Sequence, residues 1–212
     1  MDKGNRWDDH YTRRARSENW LARSVYKLDE IDRQHNLIRR GETVLDLGCY
    51  PGSWSQYSLQ KVGLKGEVAG IDLQKPDRLG APNFKYIQGN VLTLDLAWLA
   101  QTVGPRDVVI SDLAPNTTGI GLVDVSRSME LAARALAIAQ AVLKKNGHLL
   151  CKIFEGEDLK ALRNEFALYF DPVRIIRPAA VRKRSREVYL LGLHFRKERN
   201  APFQEKETSK AI

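Results

Sequence analysis

Lys27, Asp112, Lys152 and Glu187 are the residues whose types and settings could move a proton or hold a developing charge. Asp112 and Lys152 close the apolar runs VVISDLAP and LLCKIFEG. In a chain of alternating strands and helices, strand ends of that kind open the ligand crevice. Burying either charge alone would cost on the order of several kcal/mol, so an acid and a lysine at neighbouring strand ends are expected to face each other or a ligand. A lysine held by carboxylates can accept a proton from a hydroxyl when neutral, or steady an alkoxide when charged. The plain alternative is a structural ion pair.

Elements able to position these residues are legible along the chain. Residues 1–40 read as a polar, helical lead-in, with Leu21, Val25, Leu28 and Ile31 at helical spacing and Lys27 beside that stripe. From Glu42 onward, strand-like runs (TVLDLG, EVAGIDL, NFKYIQ, DVVISDL, HLLCKIF) alternate with helical patterns, the signature of a parallel sheet with crossover helices. One helix is expected from about Ser53, another from Leu92 to Thr102, and another over EDLKALRNEFALYF. A long helix capped by Asp124 or Ser126 is expected to carry Lys144 and Lys145 in its last turn and to stop at Asn146-Gly147. No long helix separates VRIIR from EVYLLGLHF, so these strands are expected to pair antiparallel at one edge. The main domain is read as 41–197, and 198–212 as a polar tail expected to be disordered.

The segment VLDLGCYPGSW runs from a buried strand through a glycine turn into a helix, where Gly48 and Gly52 let a ligand approach the backbone. It lacks the Gly-Lys-Ser/Thr ending of a phosphate loop and the G-x-G-x-x-G spacing of dinucleotide folds, which argues against a nicotinamide oxidoreductase. Asp72 ends the next strand, where a carboxylate can accept from both hydroxyls of a ribose, and Asn90 follows the third, where an amide could read an adenine edge. Asp46 and Asp112 add negative charge to the same crevice, which suits a cationic nucleoside such as S-adenosylmethionine and repels a pyrophosphate.

The chain has 212 residues, enough for one well-packed domain, with a formal charge of +8. The excess is concentrated between Pro172 and Arg199, where Arg174, Arg177, Arg182, Lys183, Arg184, Arg186, Arg196, Lys197 and Arg199 meet only Glu187 and Glu198. Such a run is the usual footprint of a nucleic acid, the alternative being a solvated face. Two cysteines, Cys49 and Cys151, and four scattered histidines show no metal-ligand spacing. With no membrane-length apolar stretch and a polar N-terminus, the chain reads as cytoplasmic.

The segments RWDDHYTRRA, RSVYKLDEID, VLDLGCYPGSWSQ, GIDL, VVISDLAPNTTG, CKIFEG and SREVYLLG occur in the order found in the FtsJ/RrmJ family of ribosomal RNA ribose 2′-O-methyltransferases, which the chain resembles from Arg6 to Gly192. The resemblance implies a Rossmann-like class I methyltransferase fold: a mostly parallel seven-stranded sheet with one antiparallel strand in the edge region and helices on both faces. It also implies that Lys27, Asp112, Lys152 and Glu187 form a catalytic tetrad around the target ribose hydroxyl. Gly48, Gly52, Trp54, Asp72, Asn90 and Asp112 would hold S-adenosylmethionine. Apart from the resemblance, the basic residues Arg13, Arg14, Arg182, Lys183, Arg184 and Arg186 are expected to contact RNA, because their clusters flank Glu187 and the segment leading to Lys27. Where the family commonly has Ala-Ala-Pro-Gly-Gly-Trp, this chain has Cys49-Tyr50-Pro51-Gly52-Ser53-Trp54, and Asn90 stands where an acid is typical. The implied substrate is a uridine of large-subunit ribosomal RNA, acted on by a monomer. The alternatives are a tRNA or other RNA target, or an RNA-binding protein on an inactive methyltransferase fold.

Overall fold

The computed structural model describes residues 6–115 and 121–197, with side chains from His10 onward. The segment 198–212 lies outside the described residues. Seven strands form one sheet: β1 (Thr43–Leu47), β2 (Glu67–Asp72), β3 (Phe84–Gln88), β4 (Arg106–Ser111), β5 (Leu143–Phe154), β6 (Val173–Ile176) and β7 (Glu187–Gly192). Their order is β3-β2-β1-β4-β5-β7-β6. Neighbours from β3 to β5 are parallel, whereas β7 is antiparallel to both β5 and β6. The expected antiparallel pair therefore forms, with VRIIR as the edge strand and β7 inserted between it and β5.

Alternation along the strands sorts their side chains onto two faces. On one face Leu45, Val109, Leu149 and Leu190 pack with helices α4 (Leu96–Val103), α5 (Gly121–Val142) and α6 (Leu159–Ala167). On the other, Val44, Val108, Ile110, Leu150, Tyr189 and Leu191 pack with α1 (Arg6–Ser17), α2 (Val25–His35) and α3 (Ser53–Val62). Strands covered on both sides read as nearly continuous apolar runs, as these do.

Local chemistry sets several boundaries. The Asp95 carboxylate accepts the Trp98 amide at 2.7 Å and caps α4, while Asn90 ties residues 90–94 into a turn; the helix thus starts at Leu96, later than the apolar pattern suggests. The long helix begins at Gly121, which puts Asp124 in its first turn and Ser126 further inside, so neither is the cap. It ends at Val142, and Lys144, Lys145 and Asn146 belong to β5. Leu143 is already paired with Arg106, and the ladder resumes only at Val108 with His148. Asn146, at φ 67°, makes the sharp bend inside the strand, and its amide donates to the Phe195 carbonyl. Sheet pairing at Leu143 thus overrides the helical preference of the two lysines. Leu21 precedes α2 and packs beside Gly52.

A buried carboxylate fastens α2 to α3 and to the segment that follows α2. Asp32 accepts from the Ile38 amide at 2.8 Å, the Tyr57 hydroxyl at 2.7 Å and the Lys61 ammonium at 2.8 Å. Glu30 accepts the Ala179 amide, and Arg23 donates to the Ala180 carbonyl, tying α2 to the β6–β7 connection. Replacing Asp32 with Ala leaves a buried phenol and amide without their acceptor. Stability is expected to fall by about 3 kcal/mol in urea denaturation, in the range for hydrogen bonds to a charged group; a loss under about 0.5 kcal/mol would contradict the clasp.

Candidate active site

Alternation also gathers the reactive groups. Asp112 lies two residues beyond Ile110, Lys152 two beyond Leu150, and Glu187 two before Tyr189, so all three lie in line with core residues of the face covered by α2. Lys27, buried on α2, descends onto the same spot. Its Nζ donates to Glu187 Oε2 at 2.8 Å and lies 3.9 Å from Asp112 Oδ1. Lys152 Nζ lies 3.1 Å from that same Asp112 Oδ1 and donates to the Asp112 carbonyl at 2.5 Å. The four residues singled out in the sequence are thus one cluster of two cations and two anions.

A fifth member escapes sequence reading. Tyr189, fully buried and directly opposite Lys152 in the β5–β7 ladder, donates its hydroxyl to Asp112 Oδ1 at 2.7 Å. Its ring lies 6.0 Å beneath Lys27 Nζ and packs 5.9 Å from Trp54. Burial pushes the phenol well above its ordinary pKa, and the charges of Asp112 and Glu187 push it further. It therefore acts as a hydrogen-bond donor, not an acid. For Asp112, burial alone would raise the carboxyl, but Lys152, Lys27 and the Tyr189 hydroxyl together hold it below the usual carboxylate range. The only signal in the sequence is a tyrosine amid the apolar run VYLLG, which reads as ordinary core.

The crevice beside this cluster opens at the ends of β1 and β4, where the strand order reverses. Gly48 has φ 79°, and a Cβ there would stand 2.5 Å from Leu113; Gly52 has φ 115° and would meet Leu21 and Leu79. Asp72 accepts the amides of Tyr50 at 2.9 Å and Gln74 at 3.0 Å, and its carbonyl accepts the Gly89 amide, which brings Asn90 alongside. Tyr50, bulky where the family has alanine, is half-exposed at the rim. Trp54 is placed in the core, its indole N–H donating to the Ser24 carbonyl at 2.9 Å, so it forms the wall behind Tyr189.

Asp46 is buried at the end of β1. One carboxyl oxygen accepts from Ser55 at 2.7 Å, and the other has no partner. Burial raises its pKa from 3.8 to about 7, offset in part by Ser55 and reinforced by the charges of Asp112 and Asp72. Three acids around a glycine turn, one with an orphaned oxygen, fit a cationic nucleoside. Among the described residues no group of His, Cys, Asp or Glu is placed to hold a metal ion. Burial pushes the Cys151 thiol up to about 12 and raises that of Cys49, so neither is a nucleophile at neutral pH.

The candidate RNA contacts fall in two places. Arg182, Lys183, Arg184 and Arg186 are exposed on the β6–β7 connection that ends in Glu187. Arg13 and Arg14 are exposed on α1, but Arg14 is not a bare cation: its Nε is paired with Glu18 at 2.7 Å and its guanidinium lies 4.5 Å over the Tyr26 ring.

Fold and site together define a class I methyltransferase that uses S-adenosylmethionine. The model of the FtsJ-like methyltransferase family matches residues 20–195. The chain is 44% identical over 190 residues to the ribosomal RNA large subunit methyltransferase E of Desulfosudis oleivorans, covering 90% of this chain and 92% of that protein. It is 45% identical over 188 residues to the protein of the same name from Bdellovibrio bacteriovorus, covering 87% and 95%. A crystal structure described as a ribosomal RNA methyltransferase of Plasmodium falciparum superposes with a TM-score of 0.73 at 26% identity, over 83% of this chain and 98% of that one. Fibrillarin of Aeropyrum pernix, crystallised with S-adenosylmethionine natively bound, shares the fold at 16% identity, with a TM-score of 0.52 over 74% and 68% of the two chains. This chain belongs to the FtsJ-like methyltransferase family.

Asp46 gives the crevice a pH signature. Its folded pKa lies above its unfolded one, so the native state binds the extra proton, and stability contributed by the neutral form is lost as pH rises from about 4 through about 7. Asp46→Asn keeps the neutral shape. Its stability advantage over the unsubstituted protein is expected to grow by on the order of 4 kcal/mol between pH 4 and pH 8, measured by urea denaturation without cofactor. A difference that does not change with pH would refute the assignment.

Proposed function

We propose that this chain methylates the 2′-oxygen of a ribose in large-subunit (23S) ribosomal RNA, at a uridine, with S-adenosylmethionine as methyl donor. One observation carries the reading: two lysines and the Tyr189 hydroxyl converge on Asp112 Oδ1, with Glu187 paired to Lys27, next to a crevice shaped and charged for a cationic nucleoside. The bound donor would supply an electrophilic methyl carbon, and the residues of this chain do the rest. Lys152 faces the 2′-hydroxyl and takes its proton, or holds the alkoxide as it develops. Lys27 opposes it from α2. Asp112, fixed by Tyr189, orients both lysines, and Glu187 keeps Lys27 in place. Alignment of hydroxyl and methyl carbon carries much of the rate, because bringing reactants into register removes an entropic barrier.

Gly48 and Gly52 admit the cofactor to the backbone, Asp72 meets its ribose, Asn90 its adenine, and the Asp46 carboxyl faces its positive charge. The helical extension 1–40 and the basic β6–β7 connection flank the cluster and hold the RNA, while 41–197 carries the methyltransferase chemistry. The protein works as a monomer in the cytoplasm, on RNA within the large ribosomal subunit. The names of its relatives support this reading, and among the described residues no helix is long and apolar enough to cross a membrane.

Lys152→Ala is expected to slow single-turnover methyl transfer by about 10²- to 10⁴-fold, the usual range for a proton-transfer group, with cofactor affinity retained. Lys152→Arg keeps the charge without a practical proton acceptor, so its rate separates the two roles. A rate within about twofold of the unsubstituted enzyme for Lys152→Ala at saturating RNA and cofactor would remove Lys152 from the chemistry. Reversing Lys183 and Arg184 to Glu is expected to weaken RNA binding and flatten the log–log salt dependence by somewhat under one unit for each phosphate no longer neutralised. An unchanged slope would return this charge to the solvated surface.

A further inference from the structure

A groove of about 290 Å³ lies between α1, α2 and the β6–β7 connection, lined by Tyr11, Arg14, Tyr26, Asp29, Arg33 and Ala180 among others. Arg23 links the groove to the cluster: it lies 5.7 Å over Tyr11, donates to the Ala180 carbonyl and interacts electrostatically with Glu187. Resting on the RNA-methylation reading, we propose that this groove receives an unpaired nucleobase of the substrate RNA, next to the target nucleotide, stacked on the Arg14 guanidinium.

The geometry of Arg14 is that of a shelf. Its guanidinium lies 4.5 Å over the centre of the Tyr26 ring, and its Nε is held by Glu18 at 2.7 Å. Glu18 is itself fixed by the Trp20 indole N–H at 3.1 Å and the Tyr26 hydroxyl at 3.0 Å. Tyr26 is only 6% exposed, whereas the Arg14 side chain is 46% exposed, so the Arg14 side chain is what covers the ring on its outer side. The Tyr11 ring packs 5.3 Å from Tyr26, and Arg23 lies 5.7 Å over Tyr11, extending the alternation of arginine and aromatic ring. Unstacked RNA bases are read on aromatic rings and on guanidinium planes, and a plane already clamped loses little freedom on binding.

Charge decides between a base and a phosphate. Arg14 is neutralised by Glu18 and Arg33 is paired with Asp29 at 2.9 Å, while Glu30 also borders the groove. A phosphate entering here would meet the carboxylates of Asp29 and Glu30 among the lining residues. A base bearing an exocyclic amino group would find acceptors at the groove edge and a flat surface beneath it. The phosphates are left to the exposed Arg13, Lys183 and Arg184 on either side.

The test compares the full-length protein with Arg14→Lys and Arg14→Ala, using protein-free 23S rRNA and intact large subunits as probes. Lysine keeps the charge and loses the plane. Both variants are expected to weaken binding to both probes and to raise the KM for large subunits by about tenfold, within the range for one stacked base, with an unchanged log–log salt slope. The melting temperature and cofactor affinity are expected to stay put. Arg14→Lys matching the unsubstituted protein would overturn the proposal, as would a slope reduced by about 0.7 to 0.9, the mark of one phosphate no longer neutralised. A defect on subunits that vanishes on protein-free rRNA would also overturn it, and would assign the groove to a ribosomal protein. If the unsubstituted protein methylates neither probe, the functional reading itself fails; activity with unaffected Arg14 variants sinks the groove alone.

Discussion

Asp112 Oδ1 receives the Tyr189 hydroxyl at 2.7 Å and lies within 4 Å of two ammonium groups, and the rest of the site is arranged around that shared oxygen. A buried carboxylate survives ionised only when nearby positive charge and hydrogen bonds replace the water it has lost. Here the compensation comes from three separate parts of the chain: α2, β5 and β7. None of them could leave without exposing an uncompensated charge, so the electrostatic requirement of Asp112 also fixes where α2 docks. Glu187 balances the second lysine and brings the cluster to formal neutrality.

The sheet makes this convergence inexpensive. Successive side chains on a strand point to opposite faces, so a polar residue two positions past a core residue continues the line of that core to the rim. Ile110, Leu150 and Tyr189 anchor their strands in the core under α2, and Asp112, Lys152 and Glu187 prolong those same lines. Inserting β7 antiparallel between β5 and β6 is what brings Glu187, its first residue, next to Phe154 at the C-terminal end of β5. A parallel strand in that place would have carried its first residue to the opposite end of the sheet. On the neighbouring side of the same edge, Asp46, Asp72 and Asp112 create a field that favours a positively charged ligand. The acids that disfavour one another in the free protein are the ones a sulfonium and an ammonium would relieve.

Much of this is legible in the sequence, for identifiable reasons. Asp112 and Lys152 stand out because charges at the ends of apolar strands are rare without a partner, Lys27 and Glu187 join them through the resemblance to the family's motifs, and the glycine turn after β1 stands out because of its flanking acids. Tyr189 does not, because a tyrosine within a β-strand is as consistent with packing as with hydrogen bonding, and only the register opposite Lys152 reveals the difference. Asn146-Gly147 reads as a helix stop but is a bend inside β5, since local preference cannot register the pairing of Leu143 with Arg106. Trp54 lies in the core because its indole finds the Ser24 carbonyl, a partner 30 residues away. Arg14 is one more cation in a basic segment until its pairing with Glu18, four residues on, and its position over Tyr26 are seen.

In the proposed function the Asp112 cluster surrounds a ribose hydroxyl and not a base. This is tested most directly by incubating the protein and methyl-labelled S-adenosylmethionine with large ribosomal subunits, then digesting the recovered 23S rRNA with alkali. A methylated 2′-oxygen cannot attack its neighbouring phosphate, so the label is expected in an alkali-resistant dinucleotide containing a 2′-O-methylated ribose. Label recovered in mononucleotides, carried on a base, would contradict it.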